Sequence, residues 1–198
     1  MKTPWKFLLS STAASLLAAI ALASDPMTEH LRKLSDTDFD RAFVKQMVEH
    51  HKQGIEMADL AASRAQDASV KAFAEKTRES QEKELKELKG MRSASQKNAE
   101  HDQHHDSHRA STDATNTHLS TGDEHQAMQR QTMSKLESAR GADFDRAFVE
   151  EMTKHHQMAI EMNELARNRA ANRELRAFAE KSVSSQQQEI AELQQLKR

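Results

Sequence analysis

The chain has 198 residues, no cysteine, four glycines and two prolines, and a formal net charge of −2 with acids and bases interspersed. The missing cysteine excludes disulfide frameworks, thiolate zinc sites and a cysteine nucleophile, and the balanced charge gives no electrostatic case for nucleic acid. Aromatic content is 4% with no tyrosine, and both prolines lie within the first 26 residues, so the remainder is free to be helical and the chain reads as all-α.

In chain order, the first element is not part of the fold. Lys2 and Lys6 precede an apolar run from Phe7 to Ala21, and Ala21-Leu22-Ala23 has the small-x-small spacing of a signal-peptidase site. Residues 1–23 therefore read as a secretory signal, with the mature chain starting near Ser24. A run of about 15 apolar residues is short for a membrane span. The expected product is exported, in the periplasm or beyond, without a membrane span; loss of Lys2 and Lys6 takes its net charge to −4.

Residues 24–92 follow as a helical hairpin. A short amphipathic stretch, Met27 to Leu34, leads to a helix that Ser35 or Asp36 can cap and that runs to about Ala65. Asp67 caps a second helix predicted to end near Gly90. At 100° per residue, Phe39, Phe43, Met47, His50, Gly54, Met57 and Ala61 share one face of the first helix. Val70, Ala74, Thr77, Gln81 and Leu88 share one face of the second, with Phe73, Glu84 and Leu85 at its margins.

Residues 93–125 are different in kind: 33 residues with six histidines, nine serines or threonines, and Leu119 as the one large aliphatic. Such a segment cannot bury a core and is expected to be a disordered, flexible linker. Its His101, His104, His105 and His108 are spaced i, i+3, i+4, i+7, a chelating pattern suited to Cu(II) or another divalent ion.

Residues 126–198 repeat the hairpin. A second amphipathic stretch, Met128 to Ala139, precedes a copy of the first hairpin at a constant offset of 105, and 27 of the 55 positions from Asp38 to Arg92 are identical to those from Asp143 to Lys197. Asn172 takes the capping place of Asp67, and all six phenylalanines after the signal are paired. Two hairpins, neither able to bury its stripe alone, are expected to close as a ferritin-like four-helix bundle, within one chain as a monomer or as a hairpin-swapped dimer.

The repeated chemistry is Met-x-x-His-His. Met47, His50 and His51 recur as Met152, His155 and His156, each set followed by Met57 or Met162. The methionines and the first histidine of each pair fall on the inward stripe, with the second histidine at its edge. Thioether and imidazole in a partly apolar pocket are the donors that hold Cu(I) and discriminate against hard cations. The plainer reading is methionine as core filler and a satisfied core histidine. Gln81, Glu84, Gln186 and Glu189 place polar groups on the facing helices, where they can orient the imidazoles by hydrogen bonds. A ferritin-like oxidase with an oxygen-rich metal pair is the weaker alternative, because no Glu-x-x-His pair is present.

Phe-Asp-Arg-Ala-Phe, Met-x-x-His-His and Ile-Glu-Met, then Leu-Arg-Ala-Phe-Ala and Gln-x-x-Glu-Ile, resemble the bacterial family known as domain of unknown function 305. The likeness covers both copies. It implies an exported ferritin-like bundle and copper binding through Met47, His50, His51, Met57, Met152, His155, His156 and Met162. The resulting expectation is a periplasmic copper-binding protein, not an enzyme, that sequesters copper, confers tolerance or passes copper to a transfer protein. A metal-free helical module for envelope stress or protein interaction is the alternative.

Overall fold

The computed structural model describes residues 26–102 and 117–197, with side chains for 28–92 except 37 and for 126–197. The signal segment and His104, His105 and His108 lie outside the described residues, as does the side chain of His101. Among the described residues there are six helices: α1 (Pro26–Lys33), α2 (Asp36–Arg64), α3 (Ala68–Asp102), α4 (Thr117–Ser138), α5 (Gly141–Arg169) and α6 (Arg173–Leu196).

The two hairpins, α2 with α3 and α5 with α6, pack through α2 on α5 and α3 on α6, which makes the four-helix bundle. The stripe predicted for α2 is buried throughout, from Phe39 to Ala61, and so is that of α3 from Val70 to Leu88. Phe39, Phe43 and Met47 at the start of α2 cluster with Met162, Ala166 and Ala170 at the end of α5, so these helices run antiparallel. At the other end Met57, Ala58 and Ala61 meet Phe144, Phe148 and Met152. Helices α1 and α4 lie against each other and across α2 and α5. Each inserts one fully buried leucine, Leu31 or Leu136, which extends the 105-residue offset outside the hairpins.

Two boundaries differ from the sequence expectation. Helix α3 does not stop near Gly90 but continues to Asp102, and α4 begins at Thr117 rather than near Met128. The segment expected to be a linker, 93–125, is therefore helical at both ends, and 103–116 lies outside the described residues. Gly90 fails as a stop because nothing lies within 4 Å of where its Cβ would be, so it sits on an open helix face. A glycine there costs about 1 kcal/mol of helix propensity, which does not break a helix continued by good helix formers.

The caps follow the sequence in part. Asp67 Oδ1 accepts from the backbone N–H of Ser69 at 2.6 Å and Val70 at 3.4 Å, and Asn172 Oδ1 does the same for Glu174 at 2.7 Å and Leu175 at 3.2 Å. Ser35 holds the N-cap position of α2 but donates its hydroxyl to the Asp38 carboxylate at 2.7 Å instead of accepting from the backbone. The hydrogen bonds from Ser69 and Val70 hold the Asp67 carboxyl below its ordinary 3.8. A depressed carboxyl stabilises the fold above its unfolded value, and that stability is lost as pH falls through the folded value. Asp67→Asn, which keeps the cap acceptor as Asn172 does, is expected to flatten the loss of stability below pH about 3.8, read as denaturation midpoint against pH.

Neither hairpin turn carries a glycine at its helix end; the stops are made by the opposite copy. Asp145 accepts from Gln66 N at 3.0 Å and Asp67 N at 2.8 Å, while Asp40 accepts from Ala171 N at 3.0 Å and Asn172 N at 2.8 Å. Each carboxylate thus takes up two amides at the other hairpin's bend. The arginines behave alike. Arg169 donates to the carbonyls of Leu31, Arg32 and Leu34 at the end of α1 and covers the Phe39 ring at 5.0 Å. Arg64 donates to Glu137 and Ala139 at the end of α4 and covers Phe144 at 5.1 Å. Cations at helix C-termini satisfy orphan carbonyls and favour the helix dipole.

Candidate metal centre

Between the two apolar clusters lies a polar layer at the middle of the bundle. At its centre the His50 and His155 rings stack, with centroids 3.7 Å apart and planes at 25°. These residues are copy mates at the 105 offset, so the pseudo-twofold relating the hairpins passes between them. His155 Nε2 lies 3.0 Å from the carbonyl oxygen of His50. A carbonyl only accepts, so Nε2 carries the proton and the lone pair of the neutral ring is on Nδ1.

The second histidine of each pair is held differently. His51, 1% exposed, places Nδ1 2.8 Å from the Met47 carbonyl oxygen and Nε2 2.8 Å from Glu84 Oε2. Both partners are acceptors unless Glu84 is protonated, so a proton lies between imidazole and carboxylate whichever group owns it. His156, fully buried, stands 2.6 Å from Glu189 Oε2, with the carboxylate off the axis of the ring N–H. Ser182 donates to Glu84 at 3.3 Å and receives Asn163 Nδ2 at 3.2 Å and Gln186 Nε2 at 3.3 Å. Glu84 and Glu189 thus fall on the imidazoles they were expected to orient. Glu84 also occupies the Nε2 that His51 would offer a metal, whereas Glu189 only lies against His156, whose Nδ1 has no hydrogen-bond partner.

The remaining predicted residues divide. Met47 and Met162 share the cluster on one side of the histidine stack, and Met57 and Met152 share the cluster on the other. The structure sets the histidines at the middle of the bundle and the methionines in the clusters on either side, so the eight predicted ligands do not surround one point. Gln81 lies along α2, where a Cβ on Gly54 would come within 2.0 Å of its Oε1; Ala159 fills the equivalent place in α5, and Gln186 turns to Ser182 instead. Among the described residues no three His, Asp or Glu side chains gather where they could hold one ion. Sequence reasoning missed Asn163 and Ser182, whose polarity is ordinary, and Asp40, Asp145, Arg64 and Arg169, whose partners are distant in sequence.

Residues 18–92 and 40–197 match the family described as domain of unknown function (DUF305), the second match spanning both hairpins. The chain belongs to the DUF305 family. No curated protein matches it. Among solved structures, a DUF305 fragment from Deinococcus radiodurans is 20% identical, with a TM-score of 0.61 over 79% of this chain and 93% of its own. A putative secreted DUF305 protein from Streptomyces coelicolor is 19% identical, with a TM-score of 0.59 over 80% and 90%. Both establish the DUF305 fold alone. CopM in its Cu(I)-bound form is 25% identical, with a TM-score of 0.58 over 79% of this chain and 93% of that one. It is also known in an Ag-bound form, 26% identical with a TM-score of 0.56 over the same shares. No described helix of this DUF305 protein is long and apolar enough to cross a membrane.

Proposed function

We propose that this protein binds copper at the centre of the bundle and serves to sequester it, or pass it to a transfer protein, in the periplasm. The observation that carries the reading is the buried His50–His155 stack on the pseudo-twofold, flanked on both sides by methionine-bearing clusters. In this reading His50 and His155 supply imidazole nitrogen, and Met47, Met57, Met152 and Met162 supply thioethers from either side. His51 is pinned by Glu84 across α2 and α3, and Glu189 lies against His156 across α5 and α6. The Cu(I)- and Ag-bound forms of CopM support the class of ion. His101, His104, His105 and His108 would collect Cu(II) or another divalent ion. We read the protein as a carrier and not an enzyme, since Glu84 and Glu189 are committed to histidines rather than to a shared metal pair.

Complete burial of Met47, Met152 and Met162 among phenylalanines also favours a packing role, and with it the metal-free interaction module. A chelator-competed Cu(I) titration of the mature chain separates the two. A core variant with His50→Gln, Met47→Leu and Met152→Leu keeps side-chain volume nearly constant, so a folded protein is expected. Its Cu(I) affinity is expected to fall at least tenfold. A wild-type chain that binds no Cu(I) sinks the copper reading and leaves the interaction module.

A further inference from the structure

A cavity of about 330 Å³ opens beside the histidine stack, between α4 and the middle of α2 and α5. Its wall carries four methionines, Met57 from α2, Met128 and Met133 from α4 and Met158 from α5, together with His155. Met128 is 38% exposed, the only large hydrophobic residue so exposed among the described residues. Methionines that serve only as packing close the space they line, whereas these surround an open one.

The methionines of this wall are only partly repeated in the other copy. At the 105 offset, Met133 corresponds to Thr28 and Met158 to Gln53, so the copies have diverged where this wall is built. Thr28 is fully buried, and Gln53 lines this same cavity together with Met158. Met133 and Met158 are additions to one half of the repeated fold, whereas Met57 has its counterpart in Met162.

The charges at the mouth limit what can enter. Glu151, the one carboxylate on the wall, is engaged by Lys135 at 2.6 Å and Lys154 at 3.1 Å, with the Thr132 hydroxyl at 3.4 Å. The hydrogen bond that Lys135 donates to Glu151 raises the lysine above its ordinary value, and the bond from Lys154 to Glu150 does the same, so both amines stay charged at the mouth. A hard divalent ion would need anionic oxygen and would meet two ammonium groups. A soft monovalent ion needs only neutral, polarizable donors, and thioether sulfur is that donor.

We propose that this cavity is a second, surface-open site for a soft monovalent cation, Cu(I) or Ag(I), held by Met128, Met133 and Met158 with Met57 and His155 behind them. The site rests on the copper-binding reading for its physiological ion, but its donors are distinct from the core set apart from Met57 and His155. Its position, with one exposed thioether in front and an imidazole of the central stack at the back, makes it the way in from solvent to that stack.

The test uses the mature chain and Ag(I), an air-stable probe of soft sites, with Cu(I) under a competing chelator in parallel. The variants are Met128→Leu/Met133→Leu/Met158→Leu, Met128→Leu alone, and the core variant above, which leaves the cavity wall intact. Leucine conserves volume, so thermal unfolding is expected to stay close to wild type. The triple variant is expected to bind one Ag(I) fewer than wild type and to show fewer sulfur neighbours around the bound ion by X-ray absorption. Met128→Leu alone, at an exposed position that cannot unfold the bundle, is expected to weaken that ion about tenfold. Full stoichiometry and affinity in both methionine variants, with an ion lost only from the core variant, overturns the cavity site and leaves the core reading standing. An ion lost from the triple variant and none from the core variant does the reverse. No binding by wild type overturns both.

Discussion

Glu84→Ala is expected to destabilise the protein by about 3 kcal/mol, the upper end of the range for stripping a buried hydrogen-bonding group of its partner. His51 is 1% exposed with both ring nitrogens on acceptors, so loss of the carboxylate strands a polar nitrogen in the middle of the bundle and leaves the Ser182 hydroxyl without that acceptor. Glu84→Gln keeps an oxygen that can accept from Nε2–H and is expected to cost only about 1–2 kcal/mol. Urea unfolding at unchanged m-value measures both. A loss below about 1 kcal/mol for the alanine variant would show that water reaches His51 in the native state.

The second large effect belongs to the exchanged aspartates. Asp40→Ala and Asp145→Ala each remove a carboxylate that accepts two backbone amides of the opposite turn, at 3.0 and 2.8 Å in both cases. Charge-assisted bonds of this kind contribute about 1.5–3 kcal/mol, so each substitution is expected to cost about 2–3 kcal/mol. The two sites lie at opposite ends of an antiparallel helix pair, and the double variant is therefore expected to lose about the sum. Denaturant midpoints of the two single variants and the double check this, and losses under about 0.5 kcal/mol each would mean that water serves the turn amides equally well.

Much of the bundle was legible because helical periodicity is a local signal. Phe39 to Ala61 and Val70 to Leu88 declare their buried faces at 3.6-residue spacing, and repetition at a fixed offset declares that both hairpins share one core. Glu84 and Glu189 were legible for a different reason: a carboxylate on a buried stripe needs a partner, and histidines were the partners at that level. What stayed hidden depends on distant residues. Asp40 and Asp145 sit one turn into their helices, behind the first-turn acids Asp36, Asp38 and Asp143, and nothing local shows that their oxygens reach another hairpin. The end of α3 was misplaced because a glycine stops a helix only when the chain must turn there. The methionine-lined cavity escaped because agreement between the copies guided the search for ligands. Met133 and Met158 stand where the copies disagree.

The exchange of caps between hairpins also sets the order in which the chain can mature. Asp40 is made early, but the amides it receives, at Ala171 and Asn172, lie more than 130 residues downstream. The bend at Gln66 and Asp67 waits for a carboxylate at position 145. A ribosome delivering the chain from its N-terminus therefore produces a first hairpin whose turn amides and apolar stripe stay hydrated until most of the second hairpin has emerged. The closing contacts are long in sequence, which slows folding relative to a bundle whose helices are capped locally. The half-made protein is thus the state most exposed to proteases and to pairing with a neighbouring nascent chain.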